Sequence, residues 1–173
     1  WDDDAYVVEN STLSDSNGLA RIWFEFGATP QYYPLVHSSF WLEYRLWGLE
    51  PAGYHVVNVV LHGLLAVLIW QLLLFLSVPG AWAAAAIFAL HPVPVEAVAW
   101  ITDRKNVLSG VFYLGAAFTY LRFAAAREDQ GAPILYTAYA LSFLLFAAAL
   151  LSKTIACSLP AALLLVLWWK RGS

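Results

Sequence analysis

The sequence predicts an all-α fold, a polytopic bundle of membrane helices with one long outer loop carrying short interfacial helices. Three observations predict it. Apolar residues make up 61% of the 173 positions and charged residues only 12%, against about 25% charged in soluble domains. The apolar residues gather into runs of membrane-crossing or near-crossing length, separated by short polar breaks. The acidic residues cluster in the first segment and between two of those runs, so that threading the chain through a bilayer brings both clusters to one face.

Residues 1–53 are polar, aromatic-rich and interrupted by Pro30, Pro34 and Pro51. They are too polar to span a membrane and too aromatic for a disordered linker. They read as an outer loop lying on the bilayer, with a short helix near 34–47. Trp23, Phe24, Phe26, Tyr32, Tyr33, Phe40, Trp41, Tyr44 and Trp47 suit the headgroup layer, where amphipathic rings are favoured.

The first membrane helix covers 54–76, close to the ~20 residues that cross the hydrocarbon. Ser77-Val78-Pro79-Gly80 is a turn. The next run, 81–101, is interrupted at His91-Pro92, which leaves its first part about a dozen residues, or roughly 18 Å, long. A polar break at that depth needs protein or a wet cavity beside it. Further helices are expected over 106–125, 134–151 and 155–169, with Pro160 in the first turn of the last, where proline costs least. With 1–53 placed outside, the 91–105 loop and Lys153 are outside too, and all of the twelve acidic residues except Glu128 and Asp129 share that side. Arg122, Arg127, Lys170 and Arg171 then lie inside, in short loops.

The net charge of −3 comes with no basic run, which argues against nucleic acid as a partner. A lone Cys157 rules out an internal disulfide and reads as a small buried hydrophobe. The absence of methionine implies that residue 1 is not a translation start and that the chain is a part of a longer protein.

Four clusters can carry chemistry. Asp2-Asp3-Asp4 supplies carboxylates at the membrane face, suited to general-base work; the bland alternative is a solvated acidic turn. His91 and Glu96 sit on a proline-kinked segment, where ionisable groups are costly unless used; the alternative is a capped helix end. Thr102-Asp103-Arg104-Lys105-Asn106 puts cations at the mouth of a helix, where Arg104 could hold a phosphate through its planar fork, with Lys153 at the same level. Snorkelling is the alternative for these cations. His55, Asn58 and His62 fall on one face of the first membrane helix and line a substrate cavity or make interhelical hydrogen bonds. His55 and His62 are about 10.5 Å apart along the axis, too far to share a metal ion. No HExxH, CxxC, GxSxG or phosphate-loop pattern is present. No metal is expected from the residues, and dependence on a divalent ion stays open. Asn10-Ser11-Thr12 matches a glycosylation tripeptide, too common by chance to carry weight.

Trp1-Asp2-Asp3 with Asn10, Tyr54-His55-Val56-Val57-Asn58 with His62, His91-Pro92 with Glu96-Ala97-Val98, Arg104, and Leu151-Ser152-Lys153 form an ordered set. In that order and spacing the chain resembles the membrane half of the transmembrane and tetratricopeptide-repeat-containing proteins, relatives of the protein O-mannosyltransferases within the GT-C glycosyltransferases. The resemblance implies a GT-C-like partial membrane domain, with an upstream helix and C-terminal repeats outside this chain. It implies a polyprenyl- or dolichyl-phosphate sugar donor, mannose above all, and a Ser or Thr hydroxyl of an acceptor protein. Transfer would invert the anomeric centre on the periplasmic or lumenal face of a bacterial inner membrane or an endoplasmic reticulum. The family's catalytic acid maps onto Asp2 or Asp3, and its second-loop polar motif onto His91 and Glu96. Two departures stand out: Tyr33-Pro34 where many members have Arg-Pro, and Pro94 where many have a second histidine. The competing expectation is a transporter or lipid-handling protein whose intramembrane polar groups bind cargo without covalent chemistry; a third is a membrane scaffold.

Overall fold

The computed structural model describes residues 3–129 and 134–172, with the side chains of 94–97, 127–129, 134–135 and 171 outside that description. Asp2 and the loop at 130–133 therefore lie outside the described residues, as does the Glu96 side chain. Among the described residues the fold is all helical. A π-helical turn, Asp4–Val8, leads into α1 (Ser11–Ser14), α2 (Gly18–Phe24) and α3 (Pro34–Trp47). Then come α4 (Pro51–Phe75), α5 (Ala81–Leu90), α6 (Pro92–Ala99), α7 (Arg104–Asp129), α8 (Ile134–Ser152) and α9 (Leu159–Gly172).

The boundaries follow local chemistry. Pro34, Pro51 and Pro92 each open a helix at the position where a missing N–H costs nothing. The Asn10 side chain accepts from Thr12 N–H and caps α1. Gly48 at φ 62° closes α3. The run over 81–101 is divided at His91-Pro92 into two helices, because His91 is extended ahead of Pro92. The last helix starts at Leu159 and not near 155; a tighter helical turn, Thr154–Ser158, precedes it. Cys157 lies on that turn and is exposed, correcting the expectation of a buried thiol.

Two stretches, Pro51–Phe75 and Ile101–Ala126, are long and apolar enough to cross a bilayer. Only 17% and 28% of their most apolar windows are buried inside the protein. A core helix of a soluble domain would bury most of that surface, so these outward apolar faces are suited to lipid. The protein is membrane-associated.

Helices α4 and α7 run parallel: Arg104 meets Tyr54 at one end, and Phe75 meets Phe118, ring centroids 5.8 Å apart, towards the other. Helix α8 returns antiparallel to α7, with Ser109 Oγ donating to the Ala149 carbonyl at 3.2 Å and Phe123 beside Tyr139. Helix α9 follows the direction of α7, from Ser158 beside Tyr113 to Lys170 over the Phe75 ring. Small residues, Ala116 and Ala117, let Leu159 approach α7 closely. The N-terminal segment, α3, the head of α4 and the 101–103 turn share a separate core of Tyr6, Val7, Leu13, Val36, Phe40, Tyr54 and Ile101. Phe40 is fully buried, Tyr33, Trp41, Tyr44 and Trp47 pack against it, and Trp23 donates to Ser38 Oγ. Phe24 and Phe26 remain outward, 85% and 84% exposed.

Candidate functional site

The polar groups collect at the end of the bundle where α4 and α7 begin. Thr102 N–H donates to Asp3 Oδ1 at 2.8 Å, across 99 residues of sequence. The first acidic cluster and the 91–105 loop are thereby held together at one end. Lys153 Nζ donates to Asn106 Oδ1, bringing the α8–α9 break to the same level. Lys105 lies with its Nζ 5.2 Å from the centre of the Tyr6 ring, so the N-terminal segment leans on the first turn of α7. Asp3, Lys105 and Lys153 are half-buried.

Arg104 behaves differently from what its position in the sequence suggests. It is 0% exposed. Its Nε donates to Asn58 Oδ1; Nη1 donates to Ser39 Oγ at 3.2 Å and to Glu43 Oε1; Nη2 donates to Glu43 Oε2 at 3.1 Å and to the Tyr54 carbonyl at 3.0 Å. All the N–H groups of a guanidinium are thereby satisfied, and its Cζ lies 5.1 Å from the Phe40 ring centre. No donor is left for a substrate phosphate. The phosphate-binding role expected of Arg104 is corrected: it is a structural cation tying α3 and α4 to α7. Its partner Glu43, 4% exposed, went unnoticed in the sequence. The one available signal was an acidic residue within an aromatic-rich helix.

The histidine and asparagine stripe on α4 is likewise occupied. Asn58 is 0% exposed and also donates through Nδ2 to the Trp100 carbonyl at 3.0 Å. His62 Nε2 lies 3.2 Å from the Ala89 carbonyl, with its ring stacked on Phe88. These two residues bind α5 and the 100–103 turn to α4. His55 is half-buried one turn from Asn58. His91 is exposed, and its Nδ1 accepts from Val93 N–H at 3.3 Å, the capped helix end considered above. Among the described residues no three His, Cys, Asp or Glu side chains come together as a metal site.

His37 is a second residue the sequence did not single out. It is fully buried, stacked on Tyr6 at 5.1 Å and edge-on to Phe40. Neither ring nitrogen has a hydrogen-bond partner. Burial pushes its pKa from 6.5 down to about 4; the nearby Gln31 carbonyl opposes the shift and the Lys105 charge adds to it.

The arrangement thus offers a carboxylate, Asp3, fixed by a backbone amide, with two lysines beside the first turn of α7 at the same end of an apolar bundle. The other end carries Arg122, over the Phe118 ring, and Lys170. Among known proteins, the chain is 31% identical to human protein O-mannosyl-transferase TMTC3 across 163 residues, covering 88% of this chain and 17% of the relative. It is 34% identical to protein O-mannosyl-transferase Tmtc1 of Drosophila melanogaster across 170 residues, 92% of this chain and 20% of that protein. It is 39% identical to protein O-mannosyl-transferase tmtc2 of Xenopus laevis across 138 residues, 73% of this chain and 16% of that protein. The chain therefore spans a fifth or less of the length of these curated relatives. No family model matches it, and neither does any solved structure.

Proposed function

Since this chain belongs, through the segment it matches, to the family of TMTC protein O-mannosyl-transferases, we propose that it forms part of the membrane domain of an enzyme that transfers mannose to protein hydroxyls. The donor is a polyprenyl- or dolichyl-phosphate mannose, and the acceptor is a Ser or Thr side chain. The domain is multi-pass, with residues 3–53, the 91–105 loop and Lys153 on the periplasmic or lumenal side.

The observation that carries this reading is the hydrogen bond from Thr102 N–H to Asp3 Oδ1. It joins the outer-loop acid to the loop between membrane helices, at the end of the bundle that also holds Lys105 and Lys153. Asp3, one of the two acids singled out in the sequence, takes the proton of the acceptor hydroxyl. The freed oxygen attacks the anomeric carbon from the face opposite the lipid phosphate, the bond from that carbon to the phosphate oxygen breaks, and the phosphate leaves with the electron pair. The configuration inverts. Lys153 and Lys105 supply cationic donors for the leaving phosphate, the task Arg104 cannot take. His91 and Glu96 remain proposed as groups that position donor or acceptor.

The test uses the full-length protein, a labelled lipid-phosphate mannose and an acceptor protein. Asp3→Asn is expected to lower transfer by about 100-fold or more, the scale of a lost general base, with normal yield in the membrane. Unchanged turnover in that variant overturns the reading. Lys153→Ala is expected to raise the donor KM about tenfold, the worth of one charge-assisted hydrogen bond. Movement of the labelled lipid with no sugar on protein would favour transport instead.

A further inference from the structure

We propose that Glu43 is a positioning residue for Asp3, acting through Arg104, Asn58 and the 100–103 turn; this rests on the reading of Asp3 as the base. Glu43 sits on α3 and makes no hydrogen bond to Asp3. What it holds is Arg104, through both carboxylate oxygens. Arg104 is the first residue of α7, immediately after the helical turn Ile101–Asp103.

The segment 100–104 is gripped at both ends by one side chain. Asn58 accepts from Arg104 Nε with Oδ1 and donates to the Trp100 carbonyl with Nδ2. Between those two attachments lies Thr102, 1% exposed, whose N–H points at Asp3. The direction of that amide sets where the Asp3 carboxylate rests. The side chain of Asn58 is held in one orientation because its oxygen faces a cation and its nitrogen faces a carbonyl; flipping it would set an amide N–H against the guanidinium. The cation stays in place because Glu43 neutralises it in a site closed to solvent, with Arg104 0% and Glu43 4% exposed. A buried guanidinium and carboxylate cost more desolvation than their attraction returns unless every donor is paired. Here every donor is paired, with partners on α3 and α4. An apolar cluster of similar volume would join the helices at least as firmly, but would fix no amide direction. The polar network is suited to aiming Thr102 N–H.

Glu43→Gln keeps the volume of the side chain and one acceptor, but removes the negative charge and sets an amide N–H₂ against Arg104. In the full-length enzyme the expected result is a fall in kcat of tenfold to about 100-fold, the range a displacement of about 1 Å at a reacting group produces. The donor KM should stay within about twofold, since Lys105 and Lys153 are untouched. Hydrogen exchange at the Thr102 amide should speed up by at least about tenfold while the amides of α8 keep their protection. A merely structural role would lower protection across the bundle or the yield of folded enzyme, without singling out Thr102. Should Glu43→Gln fail to fold, Ser39→Ala withdraws one hydrogen bond from Nη1 without exposing a charge, and a smaller fall in kcat with the same KM is expected. Unaltered kcat, or unaltered Thr102 exchange, in whichever of these variants folds overturns the inference. Asp3→Asn run alongside separates the two claims. If it turns over normally, the base assignment fails on its own; if it is inactive while the folded Glu43 or Ser39 variant turns over normally, only the role of Glu43 fails.

Discussion

Removing the Arg104 guanidinium would strand Glu43, 4% exposed, beside Asn58 and the Tyr54 carbonyl with no counter-charge. Arg104→Met is therefore expected to lose about 3–5 kcal/mol of stability, the usual result of breaking a buried pair from one side. Thermal unfolding in detergent reads this as a large fall in Tm; unchanged Tm with lost transfer would return Arg104 to the substrate. His37 gives the protein a pH dependence of known sign. Its folded-state pKa of about 4 lies below the ordinary 6.5, so the unfolded chain binds the proton first as pH falls. Stability is full above about pH 6.5, declines between 6.5 and 4, and is lower by roughly 3 kcal/mol below that window. His37→Phe, stacked on Tyr6 in the same space, should flatten that part of the stability curve; an unchanged slope would locate the titration elsewhere. Asn10 shows how context changes a motif. Its side chain caps α1 and bonds the Thr12 hydroxyl while 8% exposed, so the glycosylation tripeptide serves as a helix cap.

The short helices of the outer segment are held by close backbone contact as well as by their rings. A Cβ added at Gly18 would lie 1.7 Å from the Thr12 carbonyl oxygen. Gly18→Ala must therefore separate α1 from α2, and a loss of more than about 2 kcal/mol is expected; near-normal thermal stability would show that the turn adapts. Helix α3 was legible in the sequence because Pro34 marks its start and Gly48 follows its end. The break between α5 and α6 was legible for the same kind of reason, at Pro92. The start of α7 at Arg104 was read two residues late, because a charged residue normally marks a helix flank. Arg104 is helical and buried only because Glu43, far away in sequence, neutralises it.

Viewed as a whole, the molecule separates its polar groups along the bundle. Asp3, Glu43, Thr102, Arg104, Asn106 and Lys153 lie at one end, and Arg122 and Lys170 at the other. If the bundle crosses a membrane as proposed, the exposed positions Ser14 and Ala126 face opposite compartments. With Cys157 replaced by serine, single cysteines at those positions should react with an impermeant maleimide from opposite sides of sealed vesicles; labelling from the same side would overturn the topology. Composition and apolar run length by themselves determined the all-α, membrane-associated class, since burial in lipid needs only hydrophobic length and satisfied backbone groups. The order of polar motifs pointed to Asp3 and the 91–105 loop as neighbours. Which side chains stay available for chemistry was decided by tertiary structure alone. A guanidinium reads the same in sequence whether it is free or fully paired, and only packing α3 and α4 against α7 placed every donor of Arg104 on protein.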